Sequence, residues 1–267
     1  MTWGTGDFGG GLLSRRTPLF GVVLASQVVG TLVALALAVM RGESAPLPAD
    51  VAWSVAAGLA GGIGISALYQ GLAVGRMGIV APITGVMAAL IPVAVGVIFE
   101  GVPAPVVLLG IGLAFVAVVL VSQVEDERGG QSGLGLALIA GAALGVLGVA
   151  IAQISDGHVF GPLTILRASE ATLICTIVLI GRRAWRPSPR LWPSLAAVGV
   201  LDMAGNGLFL LAVQAGSLAV AAVLSSLYPV TTVVLATIFL RERVTRSHAI
   251  GIALAVAAIA CIAAGSS

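Results

Sequence analysis

Two stretches of this 267-residue chain decide its fold. Residues 51–74 read VAWSVAAGLAGGIGISALYQGLAV, and residues 191–214 read LWPSLAAVGVLDMAGNGLFLLAVQ. Trp53 and Trp192 open the two copies, about 140 positions apart. Further matches at this spacing are Leu68-Tyr69 with Leu208-Phe209, Val80-Ala81 with Val220-Ala221, Ile98-Phe99 with Ile238-Phe239, and Gly110-Ile111 with Gly251-Ile252. The copies are too long for solenoid repeats, so we interpret them as a duplication of one hydrophobic unit.

Composition excludes an ordinary soluble domain. Hydrophobic residues make up 59% of the chain and charged residues 9%, whereas soluble proteins carry about 25% charged residues. The net charge of +2 comes with no separate basic patch, so binding to nucleic acid is not expected. All 13 basic residues are arginines among many Ala, Gly and Val, a bias that indicates a GC-rich bacterial genome. Cys175 and Cys261 lie inside apolar runs and are predicted to pack as small hydrophobic residues.

Nine segments are long and apolar enough to cross a bilayer, which takes about 20 residues of helix. Because lipid leaves backbone groups no water to bind, each segment is predicted to be a helix. Close helix packing is expected at the glycines of the second segment, which are Gly58, Gly61, Gly62 and Gly64. The nine segments are Pro18–Met40, Val51–Val74, Met77–Phe99, Pro103–Gln123, Gly133–Ile154, Gly161–Gly181, Leu191–Gln214, Ser217–Leu240 and Ser247–Gly265.

A tenth, shorter segment runs from Trp3 to Ser14 and reaches only about 18 Å as a helix. We interpret it as the second half of a truncated first helix, which a start codon placed too late would explain. Helices two to five then match helices seven to ten, and each copy contains five helices. Because five is odd, the second copy is inverted relative to the first. The predicted fold is an all-α polytopic membrane protein, a ten-helix bundle of repeats 1–123 and 133–267 joined by the polar linker 124–132.

Arginines distinguish the two ends of the bundle. The loops after helices two, four, six and eight contain only Arg41, and we call their end the arginine-poor face. The other loops form the arginine-rich face, which the positive-inside rule places in the cytoplasm with both termini outside. Its arginines are Arg15, Arg16, Arg76, Arg128, Arg182, Arg183, Arg186, Arg190, Arg241, Arg243 and Arg246.

Known catalytic and metal-binding motifs are missing from the sequence. His158 and His248 fall at different helix ends, and no H-E-x-x-H, G-x-S-x-G, P-loop or C-x-x-C spacing occurs. We therefore predict no enzyme activity, no metal site and no cofactor. The sequence carries no signal for an oligomeric state.

Four ionisable residues lie at membrane depth, where a charge costs about 2.5–3.5 kcal/mol on insertion scales. They are Asp7, Arg167, Glu170 and Asp202. Arg167 and Glu170 are three positions apart on one helix, so a structural ion pair between them is predicted. Arg167 is also near a helix start, from which its side chain could extend to the membrane surface.

Asp202 stands near the middle of the eighth helix, with Asn206 one turn away. The equivalent part of the third helix offers Tyr69 and Gln70, and the first and sixth helices add Asp7 and Gln153. One interpretation is that these six residues line a substrate cavity at the midplane. The other is that they form hydrogen bonds that only hold the helices together. A proton- or cation-coupling role for Asp202 or Asp7 is a further hypothesis.

Prolines interrupt two helices that correspond in the duplication. Pro82 and Pro92 lie in the fourth helix and Pro229 in the ninth. An interior proline removes a backbone hydrogen bond and bends the helix. The bends are either hinges for gating or static features of the bundle.

Nearly the whole chain resembles two EamA-type repeats of the drug/metabolite transporter superfamily, with a specific motif in the second half and a looser one in the first. The resemblance rests on residues 221–229, AAVLSSLYP, on residues 238–243, IFLRER, and on Gly251. Trp3-Gly4 is similar to the start of the family's first helix, whereas residues 99–101, FEG, lack the basic element seen at 240–243. The resemblance implies a ten-helix transporter with alternating access. It also implies that both termini lie in the cytoplasm, whereas the distribution of arginines places them outside.

The sequence and the resemblance together favour a secondary transporter in the bacterial plasma membrane. The expected substrate is a small metabolite such as an amino acid or a drug-like compound, moved outward, with the lipid bilayer as the other partner. Two alternatives remain: an intramembrane enzyme acting on a lipid-linked substrate, and a membrane scaffold without transport activity.

Overall fold

The computed structural model describes residues 1–100, 104–122, 133–214, 228–241 and 246–265. Within these ranges the chain forms ten α-helices and no strand. The helices are α1 (Thr2–Ser14), α2 (Leu19–Arg41), α3 (Pro48–Val74), α4 (Met77–Glu100), α5 (Pro105–Ser122), α6 (Leu134–Ile151), α7 (Phe160–Gly181), α8 (Trp192–Gln214), α9 (Tyr228–Leu240) and α10 (Arg246–Gly265). A single 3₁₀ turn, Pro189–Leu191, precedes α8.

The helix boundaries agree with the predicted segments to within about three residues, the usual uncertainty of helix ends. The α3 helix begins earlier than expected because Pro48 takes its first position, where a missing N–H costs nothing. The α6 helix ends at Ile151, before the predicted Ile154. The predicted start of the ninth helix at Ser217 and the polar linker 124–132 lie outside the described residues.

In the described ranges, five helical segments are long and apolar enough to cross a membrane: Leu19–Arg41, Pro48–Val74, Leu134–Ile151, Phe160–Gly181 and Pro189–Leu211. Shorter apolar segments occur in α4, α5, α9 and α10. Large apolar side chains are exposed around the bundle, and Ile180 is 81% exposed. Trp53 and Trp192 are also exposed near the starts of α3 and α8, the position of interfacial tryptophans. An apolar surface of this extent is suited to lipid rather than to water.

Glycines bring α3 against two neighbours. A Cβ at Gly58 would collide with the Leu166 carbonyl oxygen of α7 and lie 2.7 Å from Cβ of Ser169. A Cβ at Gly64 would lie 2.9 Å from Cδ2 of Leu144 in α6. The prediction of close packing at these glycines is confirmed, and the backbone of α3 therefore approaches α7 within reach of the α7 side chains.

The helix contacts place α2, α3, α7 and α8 around the centre of the bundle. The α2 helix packs against α7 and α8, α3 packs against α6 and α7, and α1 packs against α8, α3 and α9. Outside them, α4 contacts α6, α9 and α10, and α5 contacts α10. Three of these contacts join helices that correspond in the predicted duplication: α2 with α7, α4 with α9, and α5 with α10. The duplication itself stays a prediction.

We predict that Gly58→Ala lowers the melting temperature of the purified protein, because its new methyl group would overlap the α7 backbone. Overpacking of this kind costs about 1–3 kcal/mol. Gly112→Ala on α5 is the matched control, since a Cβ there meets nothing within 4 Å. Thermal unfolding in detergent measures both, and equal melting temperatures for the two variants would contradict the α3–α7 packing.

Candidate functional site

Arg167 is the centre of a buried network that joins three helices. Its Nη1 donates to Oδ2 of Asp202 in α8 at 2.6 Å, and to Oε1 of Gln27 in α2 at 2.6 Å. Glu170 lies one turn along α7, and its Oε2 is 3.2 Å from the same nitrogen. Only 2% of the Arg167 surface is exposed. The network therefore ties α2, α7 and α8 together inside the bundle.

The network lies well inside the span of its helices. Arg167 is seven residues from the start of α7, about 10 Å along the axis, and Asp202 is about 15 Å from the start of α8. At such depth a lone charge is costly, whereas a hydrogen-bonded ion pair is tolerated. A guanidinium suits this position because its donors are arranged in a fixed plane that serves several acceptors.

Glycines on α2 and α3 make room for the charged side chains. A Cβ at Gly30 would lie 3.5 Å from Cδ of Arg167 and 3.7 Å from its Nε. A Cβ at Gly61 would collide with Oε1 of Glu170. The two charged residues of α7 thus lie against helix surfaces that lack side chains, which fixes how α7 crosses α2 and α3.

A second group of polar residues surrounds Asp7 of α1. Asp7 is 5% exposed, the Tyr69 ring lies against Gly10 one turn along α1, and the Tyr228 ring is edge-on to Trp3 with centroids 6.3 Å apart. Close by, Trp3 donates from Nε1 to Oδ1 of Asn206 at 2.9 Å. Through these residues α1, α3, α8 and α9 join the network around Arg167.

The structure brings four of the six proposed cavity residues together: Asp7, Tyr69, Asp202 and Asn206. Gln70 follows Tyr69 on α3 and is half-buried. Gln153 does not join them, because α6 has already ended at Ile151 and Gln153 is exposed in the following turn. Placing Gln153 at membrane depth was therefore wrong: the apolar run continues past the end of the helix.

Arg167 and Glu170 form the predicted ion pair, but the pair is not isolated. Asp202 makes the shorter contact with Arg167, and Gln27 is a further acceptor. The Arg167 side chain stays inside the bundle, so the expectation that it extends to the membrane surface was wrong. The structural pair and the proposed cavity residues are one cluster.

Three members of the cluster were missed from the sequence: Gln27, Trp3 and Tyr228. Gln27 is a single neutral polar residue in an apolar helix, which by itself predicts little. The duplication gave a usable signal, however, because position 27 corresponds to position 167 at the common spacing of 140. Trp3 and Tyr228 were noted only as parts of a family motif, and their contacts depend on how α1 lies between α8 and α9.

The predicted hinge prolines have different structural surroundings. Pro82 is buried within α4, which runs without a break from Met77 to Glu100. Pro229 belongs to α9, and a Cβ at Gly85 of α4 would lie 2.8 Å from its Cγ. Pro82 and Pro229 line one apolar crevice together with Ile252 and Val256 of α10. The side chain of Pro92 lies outside the described residues.

At the arginine-poor face, polar contacts join Glu43 and Asp50 to the segment around the start of α7, and we call these contacts the polar lock. Oε2 of Glu43, in the α2–α3 loop, accepts from the backbone N–H groups of Phe160 and Gly161 at 2.8 Å each, and of Val159 at 3.3 Å. Asp50 accepts from the N–H of Ser155 at 2.9 Å, and Nδ1 of His158 is 3.8 Å from Asp50. A carboxylate at the start of α7 is favoured by the exposed N–H groups and the helix dipole.

No group of three or more His, Cys, Asp and Glu side chains is arranged to hold a metal ion in the part of the chain that the structure describes. The chemistry that remains is that of hydrogen bonding and charge. A guanidinium, three carboxylates and two phenols can recognise a polar molecule, and the fold places them inside an apolar shell.

Comparison with known proteins identifies the family. The family model of the EamA-like transporters matches residues 131–264, half of the chain. The chain belongs to the EamA-like transporter family. It is thus a multi-pass membrane transporter of the drug/metabolite transporter superfamily, whose EamA members are transporters rather than enzymes.

One solved structure, titled "Crystal structure of protein", is 17% identical and has a TM-score of 0.58. The match covers 100% of this chain and 99% of that one. At this sequence identity the similarity shows a common fold and nothing more. The superimposed region includes all of α1 to α10. None of the curated proteins matches the chain.

We predict that Arg167→Gln destabilises this EamA-family protein more than Asp202→Asn does. Removing the guanidinium leaves Asp202 and Glu170 buried without a cation, a loss of about 3–5 kcal/mol. Asp202→Asn keeps an acceptor for Arg167 and leaves Glu170 as its counter-ion. The melting temperatures of the purified variants are compared. Arg16→Gln is the control, because Arg16 is exposed. Equal losses for Arg167→Gln and Arg16→Gln would contradict the network.

Proposed function

We propose that this protein is a secondary transporter that exports a small metabolite, such as an amino acid or a drug-like compound, by alternating access. The observation that carries the proposal is the buried network of Arg167, Asp202, Glu170 and Gln27. Ionisable residues inside a membrane bundle are costly, and they usually mark a pathway or a binding site. The family membership supports transport, and the network supports the position of its site.

The network has the position that a substrate site needs. It involves α1, α2, α3, α7 and α8, so it draws on both halves of the chain. Sites between the two repeats of a transporter lie near the midplane, where a small relative movement of the halves exposes them to one side or the other. In this proposal residues 1–123 and 133–267 are the inverted repeats, and the contacts of α2 with α7 lie between them.

Alternating access requires that each face opens in turn. The polar lock holds the arginine-poor face closed through Glu43, Asp50 and the start of α7. The lock joins the α2–α3 loop to the α6–α7 loop, one from each half. Separation of these loops would open the site on that side. The free-energy cost of opening would be moderate, because water can replace the hydrogen bonds that Glu43 loses.

The α4–α9 contact supplies a second moving part. Pro82 and Pro229 lie side by side, and Gly85 allows α9 to approach closely. Interior prolines weaken the helix backbone, because one hydrogen bond is missing and the ring pushes the preceding turn aside. We propose that α4 and α9 bend at these positions when the bundle opens.

Orientation and coupling complete the proposal. The positive-inside rule places the arginine-rich face in the bacterial cytoplasm, so the polar lock closes the outer side of the plasma membrane. Glu170 and Asp202 contact the Arg167 guanidinium, and the carboxyl group of Asp7 is a third buried acid inside the bundle. Uptake of a proton or another cation would remove the excess negative charge, and Asp202 or Asp7 would carry it.

Transport is tested by counterflow in proteoliposomes loaded with a mixture of small metabolites. The native protein should exchange at least one of them, and Asp202→Asn should lower that flux by about tenfold, because an amide cannot take up and release the coupling proton or cation. Asp156→Asn is the matched control, because the substitution is the same and Asp156 is exposed after the end of α6. Counterflow that is absent from the native protein, or unchanged in Asp202→Asn at normal protein levels, would contradict the proposal.

A further inference from the structure

The Asp7 side chain is directed into the centre of the bundle. Gly4 and Gly11 lie three residues before and four residues after it, on the same face of α1. A Cβ at Gly4 would collide with the Tyr228 carbonyl oxygen of α9, and a Cβ at Gly11 would lie 2.5 Å from Cβ of Leu72 and 3.1 Å from Cε of Met77. The face of α1 that carries Asp7 therefore lies between α9 on one side and the junction of α3 and α4 on the other.

Two phenol groups reach the same space. The ring carbon that bears the Tyr69 hydroxyl lies where a Cβ of Gly10 would be, one turn of α1 from Asp7. From the opposite side, the Tyr228 hydroxyl oxygen lies 3.5 Å from a Cβ at Gly85. Tyr69 is 0% exposed, and both hydroxyl oxygens are buried without a hydrogen-bond partner among the described residues. A buried hydroxyl without a partner costs about 1–3 kcal/mol, so two of them beside a carboxylate indicate a ligand.

Charge decides which ligand this space would accept. The buried cluster has three carboxylates and one guanidinium, and Nη1 of Arg167 is already occupied by Asp202, Glu170 and Gln27. No basic side chain of the described residues forms an ion pair with Asp7. An anionic group here would find no paired cation beside Asp7, whereas a cation would find a counter-ion in the Asp7 carboxyl group. In a low-dielectric interior this difference outweighs the hydrogen bonds that either group could form.

We propose that Asp7, Tyr69 and Tyr228 form the subsite for a protonated amine of the transported molecule. A primary ammonium group has three N–H donors, which match one carboxylate and two phenol oxygens, all acceptors. Binding of the amine gives partners to both hydroxyls and a counter-ion to Asp7. The inference rests on the proposed function, since it names the chemical class of the substrate at that site.

Binding is tested with the purified full-length protein in detergent, without transport. The probes are a series of primary amines from ethylamine to phenylethylamine, the neutral 2-phenylethanol and the anionic phenylacetate. We expect saturable thermal stabilisation by the larger amines, with at least about tenfold weaker binding of the alcohol and the anion. Asp7→Asn and Tyr69→Phe should each weaken amine binding, whereas Asp7→Glu should retain most of it and Asp156→Asn should leave it unchanged. Size-exclusion profiles identify any variant that fails to fold.

Two groups of results would overturn the inference. Equal binding of the amine and the alcohol, unchanged amine binding in folded Asp7→Asn and Tyr69→Phe, or no binding of any amine would each remove the subsite. Preferential binding of phenylacetate would instead assign the ligand to the Nε and Nη2 atoms of Arg167, which also lack a partner among the described residues. Counterflow of a neutral or anionic metabolite alone would contradict the amine subsite and leave the transporter intact, whereas amine binding without any flux would contradict transport.

Discussion

The structure depends on a guanidinium that is buried far from water. Arg167 requires acceptors wherever it lies, because an unpartnered charge in an apolar interior costs far more than a helix contact returns. Asp202 of α8 and Gln27 of α2 supply them across two helix interfaces, and Glu170 supplies another from the same helix. The positions of α2, α7 and α8 are thereby set relative to one another. The same constraint accounts for Gly61 of α3, where a Cβ would collide with Oε1 of Glu170.

In the proposed duplication this constraint has a further meaning. At the common spacing of 140, Arg167 corresponds to Gln27, Glu170 to Gly30, and Asp202 to Gly62. The second copy thus carries the charges, and the first copy carries a neutral acceptor and two glycines. Gly30 lies against Arg167, and a Cβ at Gly62 would lie 3.6 Å from Cα of Glu170. In that proposal, charged side chains at both members of each pair would place further charges beside the cluster, and divergence of the copies would avoid this.

The fold could be predicted from the sequence, because helix spans in a membrane protein follow from the length of apolar runs. The site could be predicted only in part. Asp7, Arg167, Glu170 and Asp202 are recognisable because charges at membrane depth are rare, and the i, i+3 spacing of Arg167 and Glu170 is local. Gln27 and Tyr228 enter the cluster through helix crossings, which no local pattern records. Gln153 was misplaced because hydropathy does not mark where the backbone of α6 stops being helical.

The central claim is that the Arg167 cluster becomes open to water from each side of the membrane in turn. Asn206 is 5% exposed, lies one turn from Asp202, and is suited to a cysteine probe in a protein whose Cys175 and Cys261 have been replaced. Labelling of Asn206→Cys by a membrane-impermeant thiol reagent is measured in right-side-out and in inverted vesicles. Alternating access predicts slow labelling from both sides and slower labelling when transported substrate is present. Labelling from neither side, or from one side only under every condition, would contradict the account.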